Sequence, residues 1–187
     1  MQYAQVRDTL RGYWPGGQLI EPNVLGLSLS EAYHGTRRVI ERDGRRLMVN
    51  IPPGVHTGAK VYVTRTSQPN ARRAEYCTIV VHDQPPFKRY GDNLRLEFSI
   101  DAFVAILGGT VQVPTLDGQA ELQVPPGTAP GTTLRLPGQG MPIFGHPDQH
   151  GDLCVHLHVT VPEQATPLER KLIDDTAWLH GWHFYHH

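Results

Sequence analysis

One β-rich phrase occurs twice in this chain. "VNIPPGVHTGAKVYV" (Val49 to Val63) aligns without a gap on "LQVPPGTAPGTTLRL" (Leu122 to Leu136). Ile51 falls on Val124, Pro53 on Pro126, Gly54 on Gly127, Gly58 on Gly131 and Val61 on Leu134. At the same offset upstream, "LSLSEAYHG" (Leu27 to Gly35) faces "IDAFVAILG" (Ile100 to Gly108), and each is followed by an Asp-Gly pair, Asp43-Gly44 and Asp117-Gly118. Further on, "EYCTIVV" (Glu75 to Val81) resembles "DLCVHLH" (Asp152 to His158). Matches kept in order over such a span identify an internal duplication, so the unit that this phrase encodes is built twice in tandem.

The local grammar of each copy is that of strands. Apolar residues alternate at Leu47, Val49 and Ile51, at Val61 and Val63, and at Leu94, Leu96 and Phe98, which places every second side chain on one face. Asp-Gly between two such runs predicts a hairpin. Pro-Pro-Gly ends a strand, because proline donates no backbone hydrogen bond and glycine permits the reversal. The short apolar run before Gly35 or Gly108 predicts a turn or two of helix. At the end, "TPLERKLIDDTAWL" predicts a longer one: Thr166 caps it, Pro167 fits its first position, and Leu168, Leu172, Ile173 and Leu179 line one face. The expected fold is mostly β: two tandem small β-sandwich domains, each with a short helix, plus a C-terminal helix. The expected divisions are a tail over 1–21, a first β domain over 22–86, a second over 87–163, and a helix and tail over 164–187.

Composition narrows the function classes. The 187 residues are 39% hydrophobic, enough for a real core, and 19 Gly with 16 Pro punctuate short strands. Seventeen basic residues against eighteen acidic ones give no basic surplus, so neither nucleic acid nor an anionic membrane is an expected partner. No apolar run approaches the roughly 20 residues of a membrane span, and "MQYAQVRDTLRGYWPGG" has no apolar signal-peptide centre. Two cysteines, Cys77 and Cys154, are too few for a disulfide framework. A soluble cytoplasmic protein is expected.

"SLSEAYHGTRR", "VNIPPGVHTGAKV", "FKRYGDNL", "ILGGTVQVPTLDG", "VPPGTAPGTTLRLPGQGMP" and "HGDL" resemble, in order and spacing, the C-terminal substrate-binding region of DnaJ-type co-chaperones. The resemblance covers about Asn23 to Ile173. It implies two tandem β domains that bind unfolded polypeptide clients for a DnaK-type chaperone, with no enzymatic activity and no cofactor. The lack of Cys-x-x-Cys pairs puts the chain with the zinc-less class, and the short stretch before Asn23 is not expected to hold a J-domain, so ATPase stimulation is not expected. By position, Leu25, Ile40 and Ile79 correspond to apolar residues lining a client groove on the first β domain. That groove would combine burial with strand-edge hydrogen bonding. Asn23 and Arg42 depart from the pattern, standing where apolar residues are expected. Arg38 corresponds to a basic position that meets the acidic tail of the partner chaperone, with Arg37, Arg45 and Arg46 nearby. The C-terminal helical segment, with Trp178, Leu179, Trp182 and Phe184 in or after it, implies a homodimer. The alternative is a structural, dimerising β scaffold whose groove is degenerate and which pairs with other co-chaperones.

Two features invite other readings. "FGHPDQHGD" contains His146-Pro147-Asp148, the triad that J-domains carry between two helices. Gly145, Pro147 and Gly151 deny it flanking helices, and a loop of the second β domain is expected there. Eleven histidines suggest metal: Cys154, His156 and His158 share one face of a strand, and His180, His183, His186 and His187 crowd the terminus. One strand supplies only part of a shell, so no metal is expected. No nucleophile elbow, phosphate loop or His-Glu-x-x-His occurs. Asp43 and Asp117 have local work in turns.

Overall fold

Each copy of the repeated phrase folds as strand, short helix, hairpin, strand, strand. The computed structural model describes residues 24–42, 45–64, 76–162 and 166–179. Asn23, the Asp43-Gly44 turn, Trp182, Phe184 and the terminal histidines lie outside them, as do the side chains of Arg42, Arg45 and Trp178. The first copy comprises β1 (Val24–Ser28), α1 (Leu29–His34), β2 (Thr36–Arg42), β3 (Arg45–Ile51), β4 (Lys60–Thr64) and β5 (Tyr76–His82). The second begins with an added strand, β6 (Phe87–Tyr90), followed by β7 (Asn93–Asp101), α2 (Ala102–Leu107), β8 (Gly109–Thr115), β9 (Gly118–Val124) and β10 (Thr133–Leu136). A small hairpin of β11 (Pro142–Ile143) and β12 (His146–His150) precedes β13 (Leu153–Thr160), and α3 (Pro167–Leu179) ends the described chain. The mostly-β expectation holds, as does the C-terminal helix.

The duplication extends to individual hydrogen bonds. Ser28 starts α1 with a reciprocal cap: its Oγ accepts from the Glu31 amide at 3.1 Å, and its own amide donates to Glu31 Oε2 at 2.9 Å. Asp101 starts α2 in the same place, accepting from the Phe103 amide at 2.7 Å. Gly35 (φ 72°) and Gly108 (φ 75°) end the two helices. A Cβ on Gly35 would stand 2.9 Å from the Ile51 carbonyl, and one on Gly108 the same distance from that of Val124. The Gly58 amide donates to the Ile79 carbonyl and the Gly131 amide to that of Leu157. In both copies the last strand runs parallel to the first: β5 to β1 and β13 to β7.

The copies differ in how their sheets close. β1-β5-β4-β3-β2 form one five-stranded sheet, with β1 and β2 as its edges. In the second copy β10-β13-β7-β6 form one sheet, while β8-β9 stand apart as a two-stranded one. The β8–β9 loop is Leu116-Asp117, because Thr115 pairs with Gly118; the expected Asp-Gly turn is shifted by one residue. His146-Pro147-Asp148, expected in a loop, forms part of strand β12.

Alternation buries Leu47, Val49 and Ile51 on β3 and Leu153, Val155 and Leu157 on β13, each worth about 1.5–3 kcal/mol relative to exposure. One hydrophobic cluster runs from Leu25 to Leu157 through both copies. The copies are also pinned by polar contacts. Arg89 on β6 donates from Nη1 to the Val55 carbonyl (2.6 Å) and from Nη2 to that of Gly54 (3.1 Å), in the Pro-Pro-Gly turn of the first copy. His34 Nε2 lies 3.6 Å from Asp117 Oδ1, and the His56 and Phe144 rings meet edge-on. Among the described residues no helix is long and apolar enough to cross a membrane.

Candidate functional site

The three residues expected to line a client groove are interior. Leu25 and Ile79 have no exposed surface and Ile40 only 3%. Leu25 and Ile79 are register partners on β1 and β5, and Ile40 pairs with Leu47 across β2 and β3. All three belong to the central cluster. Their strands explain it: each occupies the inward phase of its alternation, so the same period that marks a groove floor marks a core. Asn23 lies outside the described residues.

The opposite phase of the same sheet carries exposed apolar side chains: Val39 on β2, Met48 on β3, Tyr62 on β4 and Tyr76 on β5. Val39 pairs with Met48 and Tyr62 with Tyr76, two exposed pairs on the outer face that are offset by two residues, because Met48 is opposite Thr64 across β3 and β4. Lys60 sits over the Tyr76 ring at 4.8 Å. Residue-by-residue matching to a family missed these pairs, although Val39 and Tyr62 are legible as the out-phase partners of Ile40 and Val61.

Arg38, on β2, pairs through Nη2 with Glu31 Oε1. The contact joins the edge strand β2 to α1, which directly follows the other edge strand. Glu31 Oε2 is already used by the Ser28 cap. Arg38 Nε is buried with no hydrogen-bond acceptor. Glu31 was identifiable in sequence only as a capping residue, because its pairing with Arg38 depends on how β2 folds back.

The phrases "YGDNL" and "HGDL" hold each other. Asp152 accepts from the Gly138 amide at 2.9 Å and pairs with Arg135, and these contacts hold its carboxyl below the usual carboxylate range. Its amide donates to Asn93 Oδ1 at 2.8 Å, and the Met141 amide donates to the Asp92 carbonyl at 2.8 Å. A Cβ on Gly151 would stand 2.1 Å from the Asp92 carbonyl oxygen. These motif residues are structural.

A family model, the DnaJ C terminal domain, matches residues 23–162. The chain belongs to the DnaJ C-terminal domain family. It is 40% identical over 152 residues to the "Chaperone protein DnaJ" of Opitutus terrae, covering 79% of this chain and 39% of that protein. It is 38% identical over 149 residues to "Chaperone protein DnaJ 2" of Thermus thermophilus, covering 79% of this chain and 52% of the relative. The chain thus spans about two fifths to one half of the length of these relatives. Membership gives it the C-terminal region of a chaperone family, which is not a class of enzymes.

In a DnaJ C-terminal region, the His-Pro-Asp triad sits on a hairpin strand. Pro142 pairs with His150 and Ile143 with His146, and His146, Pro147 and Asp148 are exposed. No helix flanks it among the described residues. Of the histidines singled out by sequence, His156 and His158 converge with Glu97, a residue of the neighbouring strand that the strand-by-strand reading did not include. The hydrogen bond from His158, with the charge of Arg95 adding to it, holds the Glu97 carboxyl below its usual value. At the C-terminal end, α3 exposes Leu168, Leu172, Ile173 and Leu179. Thr166 and Glu169 form its capping box, the Glu169 amide donating to Thr166 Oγ1 at 3.3 Å and the Thr166 amide to Glu169 Oε2 at 2.7 Å.

Proposed function

We propose that this chain captures exposed apolar segments of non-native polypeptides for a DnaK-type chaperone, using the first copy as its binding unit and α3 to pair two chains. The observation that carries the reading is the five-stranded sheet, whose edges β1 and β2 have no further strand beside them among the described residues and whose outer face carries the exposed Val39–Met48 and Tyr62–Tyr76 pairs. An incoming extended segment adds to such an edge through its backbone and places alternate side chains on apolar surface. Leu25, Ile40 and Ile79 serve this reading as the floor of a groove between the edges, closed in the structure and reached when the edges part. Residues 22–86 and 87–163 are then the two working units, with 1–21 and 164–187 as flanks.

Arg38 is the docking point proposed for the acidic tail of the partner chaperone. Its partly exposed guanidinium supports this, because a carboxylate can pair with donors that Glu31 leaves free. The second reading, a dimerising scaffold with a degenerate groove, is favoured by the complete burial of Leu25 and Ile79.

Aggregation of a chemically denatured model substrate, followed by light scattering with and without the full chain, separates the two. Client capture predicts suppression that weakens when Val39 and Tyr62 are both replaced by Ser, at unchanged Tm. Scattering indifferent to the protein supports the scaffold. An Arg38→Ala variant is expected to lose binding of an acidic C-terminal peptide in fluorescence anisotropy while keeping client capture.

A further inference from the structure

The exposed face of the four-stranded sheet brings two imidazoles and a carboxylate together from different strands. His156 on β13 is the register partner of Glu97 on β7, and His158 follows two residues along on the same face. One ligand atom from each of the three lies within 4.8 Å of the others. His158 Nε2 is 2.7 Å from Glu97 Oε2, and the two histidine rings stand edge to face with centroids 5.2 Å apart. We propose that Glu97, His156 and His158 form a binding site for a zinc-type divalent cation.

The donor set fits that chemistry. Tetrahedral zinc, with bonds of about 2.0–2.2 Å, holds its ligand atoms about 3.4 Å apart. The Glu97–His158 pair is already closer than that, and rotation of side chains on an open sheet face takes up the remainder. Two nitrogens and one oxygen select borderline ions over calcium or magnesium, which require six or more oxygens. His156 Nδ1 is held at 3.0 Å by Thr133 Oγ1 on β10. With that nitrogen engaged, Nε2 is left for the cation, which is the outer-shell arrangement that orients metal-binding histidines. Arg95 Nε lies 2.9 Å from Glu97 Oε1, so one carboxylate oxygen carries the ion pair and Oε2 remains. Three protein ligands leave the fourth position to water. The cation enters where a hydrogen bond now joins His158 to Glu97, and it ties β7 to β13 through their side chains as well as their backbones.

The site stands apart from client capture, and its test uses no client. Isothermal titration of the full chain with zinc chloride is compared with titration of a His156→Ala/His158→Ala double variant, because His180, His183, His186 and His187 give both proteins a second source of ligands. The double variant is expected to lose one binding event and to melt like the parent in EDTA. Calcium chloride is expected to give no heat assignable to the site. A Thr133→Val variant is expected to bind zinc about tenfold more weakly, the usual effect of removing an outer-shell partner. In the unaltered protein, NMR of the histidine rings reads the site directly: substoichiometric zinc shifts the His156 and His158 signals. Equal zinc stoichiometry and affinity for parent and double variant, or ring shifts confined to the other histidines, would overturn the proposal.

Discussion

Replacing Arg89 with Ala removes a fork that joins the two copies. Its side chain is only 11% exposed, and its three donors reach the carbonyls of Val55 (2.6 Å), Gly54 (3.1 Å) and Gly91 (2.7 Å). Burial holds the guanidinium below its ordinary pKa, with Asp92 pulling the other way, and it remains charged. A hydrogen bond to a charged group contributes about 1.5–3 kcal/mol net, so the two bonds that cross between copies represent about 3–6 kcal/mol before correction. Water reaching the vacated carbonyls, and the relief of arginine's own desolvation, lower the expected cost to about 2–4 kcal/mol. For a chain of this length that is a fall in Tm of about 10 °C. Arg89→Lys keeps the charge and loses the fork, so it is expected to recover less than half of the loss. Urea denaturation followed by far-UV circular dichroism, which reads the strands of both copies, is the assay. The fork acts between copies, so R89A is expected to lower the midpoint and to broaden the transition. A variant within about 0.5 kcal/mol of the parent, with an equally sharp transition, would refute the reasoning.

Four further outcomes follow from the structure. Ile79→Ala is expected to cost about 2–5 kcal/mol in denaturant titration, because Ile79 is fully buried; an unchanged midpoint would show that it does not pack in the interior. Removing the residues after Pro167 deletes the exposed Leu168, Leu172, Ile173 and Leu179, and is expected to leave a folded monomer by sedimentation that captures long clients poorly and short peptides normally. The Glu169 carboxyl is held below the usual carboxylate range by the Thr166 amide and hydroxyl, so its cap is intact above that range and is lost as pH falls through the folded pKa; a dimer built on α3 is expected to weaken on sedimentation as pH falls there and to be unchanged between pH 6 and 8. His146→Gln is expected to alter neither folding nor the ATPase rate of a DnaK-type chaperone.

What could be read from the sequence depended on the distance over which each feature is determined. The duplication, the Ser28 and Thr166 caps, the helix-ending glycines and the alternation on β3 and β13 are set within a few residues, and their patterns announce them. The phase of a strand was equally legible, but the meaning of that phase was not. Leu25 and Ile79 were assigned to a client groove by resemblance, and the folded sheet places both in the interior. Features needing two distant strands were hidden. Glu97 joins His156 through the parallel pairing of β7 with β13, Arg38 meets Glu31 when β2 folds back, and Arg89 finds the first copy's turn across the junction. The His-Pro-Asp segment gave a partly correct reading: its prolines and glycines excluded helices, yet the pairing of Pro142 with His150 made it a strand.

The parallel closure of each copy fixes the direction in which the polypeptide travels. β5 points the same way as β1, and β13 the same way as β7. The β1-to-β5 and β7-to-β13 units therefore each end at the pole opposite to the one where their first strand starts, whereas antiparallel closure would return the chain to its point of entry. In the second copy the chain first runs down β6, antiparallel to β7 and entering beside Leu96, so by Thr160, the partner of Asp101, it has advanced about 17 Å along β7 at the usual rise per residue. Repeating such a unit lengthens the span between its ends, so gene duplication here acts as a ruler. The distance between a surface on the first copy and the end of β13 depends on strand length, and a change in that distance requires longer strands or another copy.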